Sequence, residues 1–301
     1  GSGIIIGLSA TITVWQSGLG LTDGQVGILS GALTFAIAAG SLLAGNITKL
    51  FGLICSFNLM NLMYLIGVAI CVLSGNFPVL LAGLIITGFA SGVDLPISLT
   101  VISHDAPNEK VSASLIASTQ VFWQIGVLGS YAMAFIVSHV EGAAGARMVF
   151  ALLAVLAGIA FVWRTFSKKF KEFHAAGDEY RAAEGTKTST EVSFASLFKG
   201  TDGKKYVSFF SCIIIFYVCW NLLANTFGQF QTYILVKANA SQSLATGCGI
   251  VLNIVGLICG ILFASAAGSK HRNKFFYVGI VIQAGAMIGI ALGGGTIAMI
   301  V

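Results

Sequence analysis

Charged residues are scarce in this sequence. The 301 residues include 16 Lys or Arg and 11 Asp or Glu, so that charge makes up 9% of the chain, against roughly 25% in soluble domains. This scarcity excludes a soluble globular fold. Hydrophobic residues make up 56% of the chain and the mean hydropathy is +0.92, which is typical of repeated spans of about 20 residues that cross a membrane. The sequence therefore predicts an all-α polytopic membrane protein.

Signatures of cofactor, metal and nucleotide chemistry are missing as well. There is no P-loop, zinc-ligand spacing or dinucleotide fingerprint, and the six cysteines form no CxxC pair, so we expect no cofactor, metal or disulfide. Ser103, His104 and Asp105 are adjacent, so their side chains point in different directions and cannot align as a catalytic triad. The basic residues lie between apolar runs rather than along one face, so no nucleic-acid partner is predicted. We do not expect an enzyme.

The apolar runs predict nine spans joined mostly by short links. The exception is a connector at 164–205, which carries nine of the 16 basic residues. Its aromatic residues Phe166, Phe170, Phe173 and Tyr180 recur at helical spacings and predict an amphipathic helix lying under the membrane, the alternative being a solvated linker. The predicted spans are 4–20, 24–48, 53–74, 78–102, 112–138, 143–163, 206–236, 243–267 and 275–300.

The connector divides the chain into three predicted regions. A six-helix bundle covers 1–163, the connector covers 164–205, and a partial second bundle covers 206–301, with spans seven to nine and the start of a tenth if the chain follows a two-bundle plan. The sequence begins without Met and stops inside an apolar run. We therefore interpret it as truncated within the second half.

The basic residues also predict an orientation. Fourteen of the 16 fall in one set of alternate loops, and such loops face the cytoplasm. The amino end and the connector are therefore expected inside the cell. The predicted location is the plasma membrane, with the bacterial inner membrane favoured.

Several segments give the chain its resemblance to the major facilitator superfamily, whose members have two six-helix halves joined by a cytoplasmic loop. Gly45 and Gly52 match the two glycines of the family's Gly-x-x-x-Asp-Arg-x-Gly loop, while Lys49 stands in place of its Asp and Leu50 in place of its Arg. The resemblance implies that Gly45, Lys49 and Gly52 belong to a gating loop. The two replacements imply that the gating contact differs from the family's or is absent.

Other segments resemble the sugar porter and metabolite:proton symporter branches of that family. The region from Asp94 to Pro107 falls where those branches carry Glu-x-x-Pro-x-x-x-Arg-Gly, although only the proline is kept. The residues of the fifth span and the polar seventh span, from Trp220 to Tyr233, are similar to the corresponding helices of those carriers. The resemblance implies secondary active transport by alternating access, with a monomer favoured.

Asp94 is the predicted proton-coupling residue. It lies about ten residues from the cytoplasmic end of the fourth span, and therefore near the midplane of the membrane. A carboxylate at that depth costs at least about 2.5 kcal/mol, so it must face a cavity or a partner or hold a proton. The alternative is a structural hydrogen bond to a neighbouring helix.

Amides and aromatic residues of two spans are the predicted solute ligands. In the seventh span, Asn221, Asn225 and Gln229 recur at i, i+4 and i+8 and share one face. Amides both donate and accept hydrogen bonds, which suits a hydroxyl-rich solute. The alternative is that these amides form hydrogen bonds to neighbouring helices and do not bind the solute. The full predicted set is Asn221, Asn225, Gln229, Gln231, Tyr233 and Trp220, with Gln120, Trp123 and Gln124 from the fifth span.

Three Gly-x-x-x-Gly spacings predict places where helices approach closely, although 37 glycines give such spacings readily by chance. They begin at Gly27, Gly256 and Gly289.

Together these features predict a proton symporter for a sugar, sugar acid or related small polar metabolite, embedded in the lipid bilayer. The first alternative is a drug or organic-anion exporter of the same fold. A membrane receptor or intramembrane enzyme is a remote alternative. The sequence leaves the solute, the coupling ion and the direction of transport open.

Overall fold

The computed structural model describes residues 2–106, 109–140, 142–183, 203–267 and 272–293. The regular structure in those ranges is entirely helical, which confirms the all-α prediction. The helices are α1 (Ser2–Leu19), α2 (Asp23–Phe51), α3 (Leu53–Leu73), α4 (Phe77–Asp105), α5 (Glu109–Ile136), α6 (Ala144–Phe166), α7 (Lys168–Ala183), α8 (Gly203–Lys237), α9 (Gln242–Ala267) and α10 (Arg272–Gly293).

Each of the nine predicted spans holds one helix, and α7 lies within the predicted connector. Among the described residues, five helices have apolar segments long enough to cross a membrane, namely α2, α3, α4, α6 and the first 18 residues of α9. The other four spans contain shorter apolar helical segments. The membrane class is therefore confirmed, and five of the nine spans meet the length criterion.

The short links between helices follow from local capping. Thr22 begins α2, where its side chain accepts a hydrogen bond from the Gln25 amide and the Gln25 side chain bonds back to Thr22. This capping box satisfies amides that have no partner inside the helix. Gly52 separates α2 from α3 with a φ of 80°, a conformation that costs glycine little because it has no Cβ. One residue therefore turns the chain between two spans.

Helix α4 is packed closely against α2 and α3. A Cβ on Gly92 would overlap the Ile37 carbonyl, and one on Gly40 would overlap the Phe89 carbonyl. Ser41 donates to the Gly92 carbonyl at 2.9 Å across the same contact. The predicted Gly-x-x-x-Gly positions behave differently: around Gly27, Gly31 and Gly256, no atom of the described residues lies within 4 Å of an added Cβ. Close approach depends on the neighbouring helix, which glycine spacing alone does not reveal.

Two groups of helices meet mainly along α1 and α5. The N-terminal group, α1–α6, has a buried core in which Trp15 and Phe150 pack edge to face at 5.6 Å. The C-terminal group, α8–α10, contacts it through α8 on α1 and through α9 on α5. The bonds between the groups include Ser9 to the Gly228 carbonyl at 2.9 Å, Thr13 to Gln242 at 2.6 Å, Gln242 to the Ala10 carbonyl at 2.9 Å, Gln229 to Thr34 at 2.8 Å and Ser138 to Ser243 at 2.9 Å.

The two ends of the molecule are distinct. At one end, here called the α7 end, α4 and α6 finish and α7 lies beside the end of α4. At the other end, the turn after α1 and the last turn of α8 are joined by an ion pair of 3.1 Å between Asp23 and Lys237.

Candidate functional site

An ion pair links α4 to α6. The Arg164 guanidinium donates from Nη1 to Asp94 Oδ1 at 2.8 Å, and the two side chains are 22% and 23% exposed. Arg164 was assigned to the connector, but α6 continues to Phe166, three residues beyond the predicted end of the sixth span. That extra turn brings a cation to the carboxylate, so Asp94 has an ionic partner that the sequence did not reveal.

The arginine is held on a second side by an aromatic ring. The Arg164 guanidinium carbon lies 4.0 Å from the centre of the Phe57 ring, which α3 contributes. A guanidinium over an aromatic face is attracted by the negative charge of the ring's π surface. Arg164 is therefore fixed between a carboxylate and a ring, each on a different helix.

Two adjoining cavities share the ion pair. The first has a volume of about 420 Å³ and the second about 290 Å³, and both are lined by Asp94, Arg164 and Ser91. These volumes are in the range of sites that take a small molecule. The other polar side chains are Asn61, Tyr64 and Ser130 in the first cavity and Ser98 and Thr119 in the second. The N-terminal group thus encloses hydroxyl and amide groups around one charged pair.

The predicted amide stripe of α8 lies outside these cavities. Asn221 donates to the Tyr217 carbonyl at 2.8 Å, and Asn225 donates to the Asn221 side chain. Gln229 instead donates to Thr34 of α2 at 2.8 Å. The stripe therefore combines bonds within α8 with one bond between the two helix groups, and Asn225 is exposed.

Gln231 and Tyr233 sit beyond the stripe. Gln231 is buried and accepts from the Tyr131 hydroxyl at 3.5 Å, while its side-chain nitrogen is buried without a hydrogen-bond partner. Tyr233 lies 5.5 Å below the Lys237 ammonium. An unpaired buried amide nitrogen is costly, so Gln231 carries a donor that no described residue satisfies.

The remaining predicted residues are dispersed. Trp123 lines the second cavity and is 38% exposed, and Gln124 is half-buried on the same helix. The side chains of Gln120 and Trp220 lie outside the described residues. In the predicted gating loop, Gly45 and Lys49 are exposed on the last turns of α2 and Gly52 forms the corner before α3.

Sequence reasoning missed the residues that surround Asp94. Arg164 was counted only as a loop charge, and Asn61 and Tyr64 of α3 were not singled out, although both are polar side chains within an apolar run. That departure from an apolar run was the available signal. For metals, the described residues contain no group of three or more His, Cys, Asp or Glu side chains placed to hold an ion.

The fold and the enclosed polar site define a multi-pass helical membrane protein. The chain belongs to the Major Facilitator Superfamily, whose model matches residues 2–301. It is 30% identical to the minor myo-inositol transporter IolF of Bacillus subtilis (strain 168) over 283 residues, which is 91% of this chain and 62% of that protein.

A second relative and a solved structure point the same way. The chain is 26% identical to D-xylose-proton symporter-like 2 of Arabidopsis thaliana over 153 residues, which is 50% of this chain and 30% of that protein. A crystal structure of a D-xylose-proton symporter has a TM-score of 0.64 at 14% identity, over 88% of this chain and 66% of that one, and supports the fold. The chain spans less than two thirds of the length of both curated relatives.

Proposed function

We propose that this chain forms the larger part of a secondary active transporter that takes up a sugar or polyol together with a proton. The observation that carries the proposal is the Asp94–Arg164 ion pair shared by two polar cavities. Its relatives are named as a myo-inositol transporter and a D-xylose-proton symporter-like protein. The family assignment supports alternating access between two helix groups.

Asp94 is proposed as the proton carrier and Arg164 as its counter-ion. Protonation of the Asp94 carboxylate removes the charge that holds Arg164 at 2.8 Å. The neutral carboxyl then has an O–H that donates to a solute hydroxyl, and the freed guanidinium offers further donors. Proton binding and solute binding therefore favour the same rearrangement of one pair.

The proposed solute site extends from the cavities to the amides of α8. Asn225 is exposed and Asn221 is half-buried, so both are accessible to a solute, and Gln231 has an unpaired side-chain nitrogen. Movement of the C-terminal group would bring these amides towards Asp94. Gly45, Lys49 and Gly52 are proposed to form the gating loop, at the corner between α2 and α3.

Placement in the cell is part of the same proposal. The alternation of basic loops supports a cytoplasmic amino end and connector 164–205, in a plasma membrane of the bacterial inner type. The proposed regions are a bundle at 1–163, the connector and a second bundle that begins at 206. A monomer is the proposed unit.

The proposal is tested with Asp94→Asn in proteoliposomes. We expect uphill, proton-driven uptake of myo-inositol or xylose to be lost, while counterflow continues because exchange needs no net proton movement. Glu179→Gln is the matched control, since it removes an exposed carboxylate from α7. Uphill accumulation at the native level in Asp94→Asn would refute the role of Asp94. Efflux of aromatic drugs without sugar or polyol counterflow would instead favour the exporter.

A further inference from the structure

Two histidines and two aspartates join α7 to the end of α4. Asp105, the last residue of α4, accepts from His104 at 2.9 Å through Oδ1 and from His174 of α7 at 2.6 Å through Oδ2. The second ring nitrogen of His104 lies 3.2 Å from Asp178 of α7. Four titratable groups therefore bridge two helices, apart from the Asp94–Arg164 pair.

The two contacts of His104 are both favourable in only one protonation state of its ring. Its Nδ1 faces a carboxylate oxygen of Asp105 and its Nε2 faces one of Asp178. A neutral imidazole has one N–H and one lone pair, so one of the two contacts would set a lone pair against a carboxylate. Both contacts are hydrogen bonds only when the ring carries two protons. The docked position of α7 therefore matches a positively charged His104.

His174 completes the contact from the α7 side. Its side chain is 11% exposed, and its Nε2 is buried without a hydrogen-bond partner. One proton on Nδ1 is enough for its bond to Asp105. Gly177 allows this approach, because a Cβ there would lie 2.9 Å from both Nδ1 and the carbonyl oxygen of His104.

The cluster also reaches the Asp94–Arg164 pair. The His174 ring packs at right angles to Phe57, with centroids 6.5 Å apart, and the Phe57 ring also contacts the Arg164 guanidinium, whose carbon lies 4.0 Å from the ring centre. Phe57 is buried. Phe57 also belongs to a buried cluster with Ala44 of α2 and Val93 of α4, so displacement of α7 would remove one of several contacts that hold its ring under Arg164.

We propose that His104, Asp105, His174 and Asp178 form a proton-dependent lock that docks α7 on the end of α4, and that Phe57 is a positioning residue which transmits docking to Arg164. At low pH the charged His104 holds α7 in place. When His104 loses its second proton, the hydrogen bond to Asp178 is lost and α7 loosens. The effect on transport rests on the proposed function, but the lock does not.

The test is hydrogen–deuterium exchange of the purified protein, without solute, at about pH 5.5 and pH 8. Exchange of the α7 amides, divided by the intrinsic rate at each pH, should be about 3- to 10-fold faster at the higher pH, since one charge-assisted bond near the surface is lost. In His104→Gln the ratio between the two conditions should fall to about one. Gly177→Val should raise α7 exchange at both pH values, because the added side chain keeps the helix undocked.

Two matched variants complete the experiment. His139→Gln removes a histidine at the opposite end of the bundle, beside Ser138, and Glu179→Gln removes an exposed α7 carboxylate next to Asp178. Both should keep the native pH dependence. A native pH dependence in His104→Gln would overturn the lock. Phe57→Leu tests the second part of the proposal. In this variant the exchange of α7 should stay pH-dependent, while the pH profile of counterflow should change. An unchanged counterflow profile would overturn the positioning role of Phe57.

Discussion

A double-mutant cycle tests whether Asp94 and Arg164 depend on each other. Asp94→Asn leaves the guanidinium without its counter-ion, Arg164→Gln leaves the carboxylate alone, and the combination leaves two neutral groups of similar size. In the native protein, Arg164 Nη1 lies 2.8 Å from Asp94 Oδ1, and each side chain is about one fifth exposed. Each single change therefore strands a charge that the double change does not.

The size of the effect follows from distance and screening. Two unit charges about 4 Å apart attract by roughly 4 kcal/mol at an effective dielectric constant of about 20. Partial exposure and water in the adjoining cavities screen part of this attraction, so we expect each single variant to lose about 1–3 kcal/mol of unfolding free energy and the coupling to be about 1–2 kcal/mol. The double variant should therefore lose about 1–2 kcal/mol less than the sum of the two single losses.

Unfolding of the purified protein in mixed detergent is the measurement, followed at a pH where both groups are charged. Arg147→Gln is the control for Arg164→Gln, since Arg147 is also on α6 but donates to the Ser74 carbonyl at 2.7 Å. Its combination with Asp94→Asn should be additive. If the losses from Asp94→Asn and Arg164→Gln also add, the two charges are not coupled and the pairing argument is refuted.

Three further predictions follow from the solute site, the connector and the helix packing. Asn225→Ala should weaken solute affinity about 5- to 150-fold, which corresponds to about 1–3 kcal/mol of binding free energy, while the melting temperature stays almost unchanged. Reduced stability with native affinity would instead assign Asn225 to helix packing. A cysteine at Thr188, which lies outside the described residues, should react with impermeant reagents only from the cytoplasmic side, and labelling of intact cells would contradict that topology. Gly92→Ala should cost about 1–3 kcal/mol because its methyl group overlaps Ile37, whereas Gly31→Ala should cost far less; equal losses would contradict the packing.

The helices were predictable because bilayer length imposes a strong pattern on the sequence. Runs of about 20 apolar residues have few alternatives to a spanning helix, and every predicted span contains a helix, five of which are apolar over a spanning length among the described residues. The ends of the helices were predicted less accurately, because hydropathy changes gradually there. At the end of α6 the apolar run fades over a few residues, so hydropathy gave no reason to extend the span to Arg164, and its charge was explained equally well by the loop count.

Partners across helices were not predictable from spacing. The i, i+4, i+8 pattern of the α8 amides is visible in the sequence, but only the tertiary structure shows that Gln229 bonds Thr34 while Asn225 bonds its own helix. Glycine spacing failed in the same way, since Gly31 faces no described neighbour and Gly92 faces Ile37. The order of residues along one helix does not determine which of its faces a neighbouring helix will contact.

The hydrogen bonds between the two helix groups set a scale for the work of separating them. Five of them are neutral, two from side chains to backbone carbonyls and three between side chains, and bonds of this kind in membrane proteins are worth about 0.6 kcal/mol each. Together they amount to about 3 kcal/mol. A difference of that size between two arrangements leaves the rarer one populated at somewhat under one molecule in a hundred. A solute that binds the rarer arrangement a few hundredfold more tightly would make the two equally common, so the solute's preference between the two arrangements, and not its absolute affinity, drives the exchange between them.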